Sequence, residues 1–516
     1  MRRLLKRVAF VALTLAGAVQ ARADGEEHHS HPVPEQLGKV TFPVSCRAAV
    51  APAFERAVAL LHSFAYTDAE RAFRDVLARD AQCAIARWGI AMSLYHQLWE
   101  PPAAADLREG AQQIALARQE ATASRRERQF IGALEKYYTD VDTQPAATRA
   151  QRYAAAMADV AAAHPDDSEM QVFYALALIA TAPPSDKTHA NQKRAIAILE
   201  PIYARQPQHP GIAHYLIHAC DRAELAAHGL PAARAYSKIA PSAPHALHMP
   251  SHIFTRLGLW DDSIASNLAA RAAAHAQGDI GEELHAMDYL TYAYLQRDRR
   301  GDARQVVDEM RAMPGLRAAQ FKIGYAVTAM PVRLAVERKD WHQATMLEPL
   351  PDSAPHVAAV VYWARAVGAA RLGQVPQAKA EIAKLQGTLR DAQAAGNAYW
   401  THQVEILLGE AQAWHLAASD DIDGALHALR RAADDEDAVE KLPVTPGPIV
   451  PAREQLGELL LEQKRYDEAL REFRATLAQS PRRLGALTGA IAAAEQIGDE
   501  TSARQLRAEL SGNFGS

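Results

Sequence analysis

Histidine is the residue in this chain whose type and spacing most directly promise chemistry. Seven of its 21 histidines lie between His209 and Trp260, in HPGIAHYLIHACDRAELAAHGLPAARAYSKIAPSAPHALHMPSHIFTRLGLW. His214 and His218 stand four residues apart, which on an α-helix puts both imidazoles on one face, the usual helical pair for a metal ion. His245, His248 and His252 follow a three-then-four spacing, which at about 100° per residue confines them to an arc of about 60°. His285 and Asp288 repeat the three-residue step further along. Imidazole suits copper and zinc, so one of those ions is the cofactor such a set would take. The alternative is a set of histidines that cap helices or bond neighbouring carbonyls inside a packed stack. No HExxH, GxSxG or phosphate-cradling glycine loop accompanies them, so the sequence names no reaction class.

These side chains need helices to hold them, and the composition supplies helices. Alanine clusters at 154–156, 161–163 and 272–274 favour closely packed helices, and strand formers are scarce. The expected class is all-α. From Phe54 onward a hairpin pattern recurs, and the C-terminal stretch PAREQLGELLLEQKRYDEALREFRATLAQSP displays it best. There Leu456, Gly457, Leu460, Tyr466, Ala469, Phe473 and Pro481 occupy the packing positions of a tetratricopeptide repeat (TPR), so the expected architecture is a TPR-like helical-hairpin superhelix, an α-solenoid. With the small residue of each second helix as a ruler, the repeats register on Ala69, Ala195, Ala232, Ser263, Ala303, Ala344, Ala378, Ala425, Ala469 and Ala503. Residues 84–182 fit poorly and read as longer, degenerate hairpins. The division that follows is a signal peptide over 1–23, a flexible histidine-containing segment over 24–48, degenerate repeats over 49–182, central histidine-rich repeats over 183–315, and further TPR repeats over 316–516.

The TPR resemblance implies a concave groove lined by the first helix of each hairpin. Counted from Ser263, the groove slots hold His245, His248 and His252; counted from Ala303 they hold His285, Asp288 and Tyr292. On the same basis His62 takes a groove slot of the first hairpin, His96 sits at the matching helix end one repeat on, and Glu454 and Glu458 face the groove near the C-terminus. Pro250 disfavours helical geometry at Met249, so the helix either kinks there or starts anew at Pro250. An acidic run, Asp434-Asp435-Glu436-Asp437, leads through Glu440-Lys441 into LPVTPGPIVPARE. Either it is a solvated helix end, or the proline-stiffened connection folds over the groove and brings Glu436, Asp437, Glu440 or Glu454 to the histidines.

The first residues set the expected compartment. Arg2, Arg3, Lys6 and Arg7 precede an apolar run over 8–19 and then Ala21-Arg22-Ala23, the form of a secretory signal peptide. The run is too short to span a membrane, and no later stretch is apolar enough to do so. Export predicts a periplasmic or secreted protein without an integral membrane segment. Its removal makes a chain whose net charge is already −5 more acidic still, which argues against nucleic acid as a partner. An oxidising compartment allows disulfides, so Cys46 and Cys83 are either a bridge or two small buried thiols, with Cys220 left over. His28, His29 and His31 belong to a polar tail that is either simply solvated or a loose metal trap.

The chain also resembles a family of exported bacterial TPR proteins of similar length. The likeness is carried by LGKVTFPVSC, HPGIAHYLIHA, PHALHMPSHIFTRLGLW, HAMDYLTYAYLQ and EKLPVTPGPIVPARE, with departures at Cys220-Asp221 and at Leu442. It implies the solenoid and export but brings no activity with it. Three functions remain open from sequence. The first is a binding protein whose histidine-lined groove takes a transition metal or a protein or peptide partner. The second is a metal-dependent enzyme with Asp288, Glu440 or Glu454 as general base. The third is an envelope assembly factor with incidental histidines.

Overall fold

A computed structural model describes residues 36–98 and 102–514 of the chain. The expected signal peptide over 1–23, and His28, His29 and His31, lie outside the described residues. Among the described residues the chain forms twenty-five α-helices and one short 3-10 helix, without strands. Sequence neighbours pair as hairpins: Ala51–His62 on Tyr66–Arg79, Ile280–Gln296 on Arg300–Ala312, Pro355–Arg371 on Val375–Ala394, and Ala452–Glu462 on Tyr466–Gln479. Hairpins then stack through their first helices, as Ile280–Gln296 does on Phe321–Glu337. The architecture is a TPR-like helical-hairpin superhelix.

The small residues of the ruler explain the spacing. All ten, from Ala69 to Ala503 with Ser263 among them, are no more than 2% exposed, because each lies where two helices approach too closely for a larger side chain. Phe473 shows the complementary requirement. A Cβ built on Gly457 would lie 2.8 Å from its ring and one on Gly489 would lie 2.2 Å away, so both glycines are space for that phenyl group. The degenerate stretch folds as Ala84–Tyr95, Ala104–Gln119, Arg125–Tyr138, Ala146–Ala163 and Ser168–Ala180, hairpins of the same stack with irregular connections.

Residues 37–46 differ from the flexible segment expected through residue 48. Leu37, Val40 and Phe42 are buried, and the Phe42 ring packs 5.2 Å from both Phe54 and Phe130. Cys46 and Cys83 form a disulfide, while Cys220 is a buried free thiol. Three apolar side chains and a covalent bond hold an irregular segment whose polar backbone alone would leave it loose.

The far end of the solenoid turns back onto its middle. The indole Nε1 of Trp260 donates to the Arg482 carbonyl at 3.1 Å, and the Leu484 amide donates to Gln296 Oε1 at 3.0 Å. The amide of Glu440 likewise donates to the Pro184 carbonyl at 3.1 Å. The segment over 439–451 is thereby drawn across the inner face of the central repeats.

Within the C-terminal repeats, Glu410 is 1% exposed and faces Glu436. Burial, with the neighbouring carboxylate adding to it, holds Glu410 well above the usual carboxyl range, and burial pushes Glu436 up to about 7. The folded chain therefore keeps protons that the unfolded chain releases near pH 4.5, so this contribution to stability is complete below that value and is lost as pH rises through 7. Replacing Glu410 by Gln is expected to raise stability by about 1–2 kcal/mol at pH 8 and to change it by less than about half a kcal/mol at pH 4.5. Thermal unfolding followed across that range checks the difference.

Candidate metal centre

Four short stretches of helix deliver six histidines to one interior. Pro210–Cys220 carries His214 and His218; its start is fixed by Pro210 in the first turn and by the His209 side chain, which accepts the Ile212 amide at 3.3 Å. Pro244–His248 carries His245 and His248, and Pro250–Arg256 carries His252. A new helix starts at Pro250, because proline has no N–H to continue the previous one, but Met249 itself keeps helical geometry (φ −52°, ψ −36°), contrary to the expectation. Ile280–Gln296 carries His285 and is capped by Asp279, whose carboxylate accepts the Glu282 amide at 3.0 Å.

The six imidazoles form two adjacent groups of three. In the first, His214 Nε2 lies 3.0 Å from His218 Nε2 and 3.1 Å from His245 Nε2. In the second, His248 Nε2 lies 3.0 Å from His252 Nε2, and the His285 ring centroid is 4.3 Å from that of His248. In each group one ligand atom per residue lies within 4.8 Å of the others. Three nitrogens bound to one tetrahedral ion at about 2.0–2.1 Å would stand about 3.3 Å apart, close to these separations.

The opposite ring nitrogens decide the chemistry. His214 Nδ1 donates to the His62 carbonyl at 2.7 Å, His245 Nδ1 to Glu282 at 3.2 Å, and His252 Nδ1 to Asp221 at 2.9 Å. Carbonyls and ionised carboxylates only accept, so these three Nδ1 atoms carry the hydrogen. Asn267 donates its Nδ2 to the Ser263 carbonyl at 2.8 Å, which leaves its Oδ1 to accept from His248 Nδ1 at 2.6 Å. In the neutral rings the four Nε2 atoms then bear lone pairs. His214 aims its lone pair at that of His245, and His248 aims its own at that of His252. Lone pairs facing each other at such distances repel unless an electrophile stands between them, and the outer partners are those that orient metal-binding imidazoles.

The surroundings favour the neutral form of five of the rings and the charged form of the outer acids. Burial lowers the pKa of His214, His218, His248, His252 and His285, with neighbouring imidazoles lowering several further. Burial opposes ionisation of Asp221, but Lys441 and Arg256 outweigh it and hold the carboxylate well below its usual range. Glu282 is likewise held low against burial by Lys322 and His245. Phe64 walls the first group, with its centroid 4.4 Å from His214 and 5.6 Å from His218. Tyr289 walls the second at 4.8 Å from His248 and 5.0 Å from His252.

A third cluster, His62, Glu169 and His209, is built differently. Glu169 bonds His62 Nε2 at 3.0 Å and His209 Nε2 at 2.9 Å, while His62 Nδ1 meets the Tyr215 hydroxyl at 2.9 Å. Every ring nitrogen has a hydrogen-bond partner, so this network is satisfied without an ion. Its link to the centre is the His62 carbonyl that orients His214.

Several expected site residues stand elsewhere. The six histidines are at most 5% exposed, so they occupy a covered interior rather than an open groove, because the 439–451 segment and the returning C-terminal repeats lie over that face. Asp288 does not join the histidines: it faces the buried Arg333, whose Nε donates to it at 3.3 Å. His96 packs against the Tyr66 ring at 4.9 Å, and Tyr292 accepts from Arg483 at 3.3 Å. Glu454 pairs with Arg483 at 2.6 Å and Glu458 with Lys339 at 2.9 Å. Glu440 comes nearest of the acids from that region, through Arg256, which bridges it at 3.4 Å to Asp221 at 2.8 Å. The sequence reading gave no role to Asp221, Glu282, Asn267 or Tyr289. The available signal was an acid three residues from a clustered histidine, as Asp221 is from His218 and Glu282 from His285.

Arg333 and Tyr289 are among the side chains that fasten the covering segment. Arg333 donates to the carbonyls of Gly447 and Pro448 at 2.8 Å each, and to Thr445 Oγ1 at 3.1 Å. The Tyr289 hydroxyl lies 3.2 Å from the Thr445 carbonyl and 3.3 Å from His252 Nδ1, joining cover and centre. Arg333→Met removes the charge that Asp288 and three loop oxygens share. It is expected to destabilise the chain by about 3–5 kcal/mol and to open residues 443–448 to limited proteolysis; an unchanged melt and digestion pattern would contradict this role.

Fold and centre together define a TPR-like solenoid with a covered, histidine-rich core. The sequence matches no protein-family model, and no curated protein sequence matches it. Among solved structures it is similar to a human IFIT1 dimer with m7Gppp-AAAA at TM-score 0.37 and 10% identity, covering 84% of this chain and 90% of that one. The APC/C hetero-tetramer Cut9-Hcn1 gives TM-score 0.36 and 10% identity over 86% of this chain and 76% of that one. Yeast Tom70 gives TM-score 0.32 and 11% identity over 88% and 91% respectively.

Proposed function

We propose that this chain is an exported TPR-like binding protein whose interior holds copper or zinc on His214, His218, His245, His248, His252 and His285. The observation that carries the reading is the pairing of Nε2 lone pairs at 3.0–3.1 Å while the Nδ1 atoms behind them are committed as donors. Neutral, buried imidazoles with fixed tautomers are ready ligands, because no proton has to be displaced before an ion enters. The Cys46–Cys83 disulfide supports the periplasm or the cell exterior as its compartment, and the motif blocks support membership in the exported bacterial TPR family. A protein or peptide partner would dock beside the covering segment, at the pocket lined in part by Tyr325, Tyr399, Trp400 and Gln403.

A metal-dependent enzyme is the second reading. The specific observation in its favour is that each group supplies three imidazoles, which leaves a position for water or substrate on a four-coordinate ion. With Asp288 and Glu454 occupied by arginines, the acids nearest the ligands are Asp221 and Glu282, and both act by orienting histidines.

The test is elemental analysis of the full chain, exported from its own signal and purified without a polyhistidine tag. The wild type is expected to retain copper or zinc through desalting. His214→Ala and His248→Ala are expected to lose it in part, and Asn267→Ala to weaken binding by about 10–100-fold. A wild type that retains no metal, with variants indistinguishable from it, defeats the proposal.

A further inference from the structure

Resting on that metal-binding reading, we infer that the two histidine groups hold two ions as one pair joined by a small anionic oxygen ligand, hydroxide in the resting protein. The groups are neighbours and not separate sites. His245 of the first and His248 of the second lie on the same helix with ring centroids 6.4 Å apart, and His218 and His252 face each other across the groups at 6.3 Å. Paired ions in proteins typically stand about 3.5–4 Å apart, a spacing that such neighbouring rings permit.

Charge and coordination both call for the shared ligand. Six neutral imidazoles leave two divalent ions with all of their charge in a site whose ligands are at most 5% exposed, where an uncompensated charge is heavily disfavoured. The carboxylates within reach are already engaged. Asp221 pairs with Lys441 at 2.9 Å and with Arg256 at 2.8 Å, and Glu282 pairs with Lys322. Each group also provides three ligands for a four-coordinate ion. One hydroxide bound to both ions completes both coordination shells and lowers the net charge by one. It forms when a bound water releases a proton to solvent, a loss that two cations make easy near neutral pH. Phe64 and Tyr289 wall the two groups and the histidines are at most 5% exposed, so the ligand admitted is small, as hydroxide and azide are.

Copper(II) reads the pairing directly, and it enters any imidazole site that admits zinc. The metal-free full chain is loaded with copper(II), desalted, and measured for copper content and for electron-spin intensity by paramagnetic resonance. The expected result is two coppers per chain with far fewer than two spins, because a bridging ligand couples them, and an absorption band that changes when azide is added. His218→Ala and His285→Ala each weaken one group, so each is expected to give about one copper with a full single-ion signal; circular dichroism confirms that these variants are folded. Two coppers with two full spins, or one copper in the wild type, would overturn the pair while leaving metal binding intact. No retained copper would remove the metal-binding reading itself, and the pair with it.

Discussion

Four donated Nδ1 hydrogens determine what the middle of this protein is. The acceptors are a main-chain carbonyl, an amide oxygen and two carboxylates, and each commits an imidazole to presenting its Nε2 lone pair inward. An apolar core would have been simpler to pack, since burying unpartnered nitrogen is disfavoured by several kcal/mol. Buried imidazoles whose inward nitrogens face one another are therefore a burden on stability that a bound cation would convert into a gain. The satisfied His62, Glu169 and His209 network beside them shows the contrasting arrangement, in which the same residue types close their bonds on one another.

The rest of the solenoid serves that arrangement. Hairpin stacking brings Pro210–Cys220, Pro244–His248, Pro250–Arg256 and Ile280–Gln296 side by side, so histidines separated by dozens of residues meet. Packing around Ala232, Ser263 and Ala303 sets the helix spacing, and the returning C-terminal repeats supply the cover. Lys441 and Arg256 link cover and centre, because both hold Asp221, which orients His252. A change in the cover is thus transmitted to His252 through one carboxylate.

Much of this was legible in the sequence, for reasons that differ by level. Alanine at the hairpin crossings has a packing cause and a fixed period, so the repeats registered correctly and every ruler residue is buried. The same ruler gathered the histidines on one surface because helical geometry fixes where i, i+3 and i+4 side chains point. It failed where tertiary closure decides the outcome. Asp288 sits in a groove slot but meets Arg333, a residue 45 positions away, and Glu454 meets Arg483 in the same way. The groove itself is covered because a connection rich in proline is fastened from the opposite side by Arg333. Asp221 and Glu282 stand three residues from His218 and His285, but they orient His252 and His245 on other helices, and those roles, like that of Asn267, exist only once the helices are assembled.

X-ray absorption at the copper and zinc edges, on the untagged full chain, tests the central claim most directly. The account predicts a first shell dominated by three imidazole nitrogens per ion at about 2.0–2.1 Å, with the outer-ring scattering that marks histidine. A shell of sulfur, a shell of oxygen without imidazole, or no bound metal at either edge would contradict it.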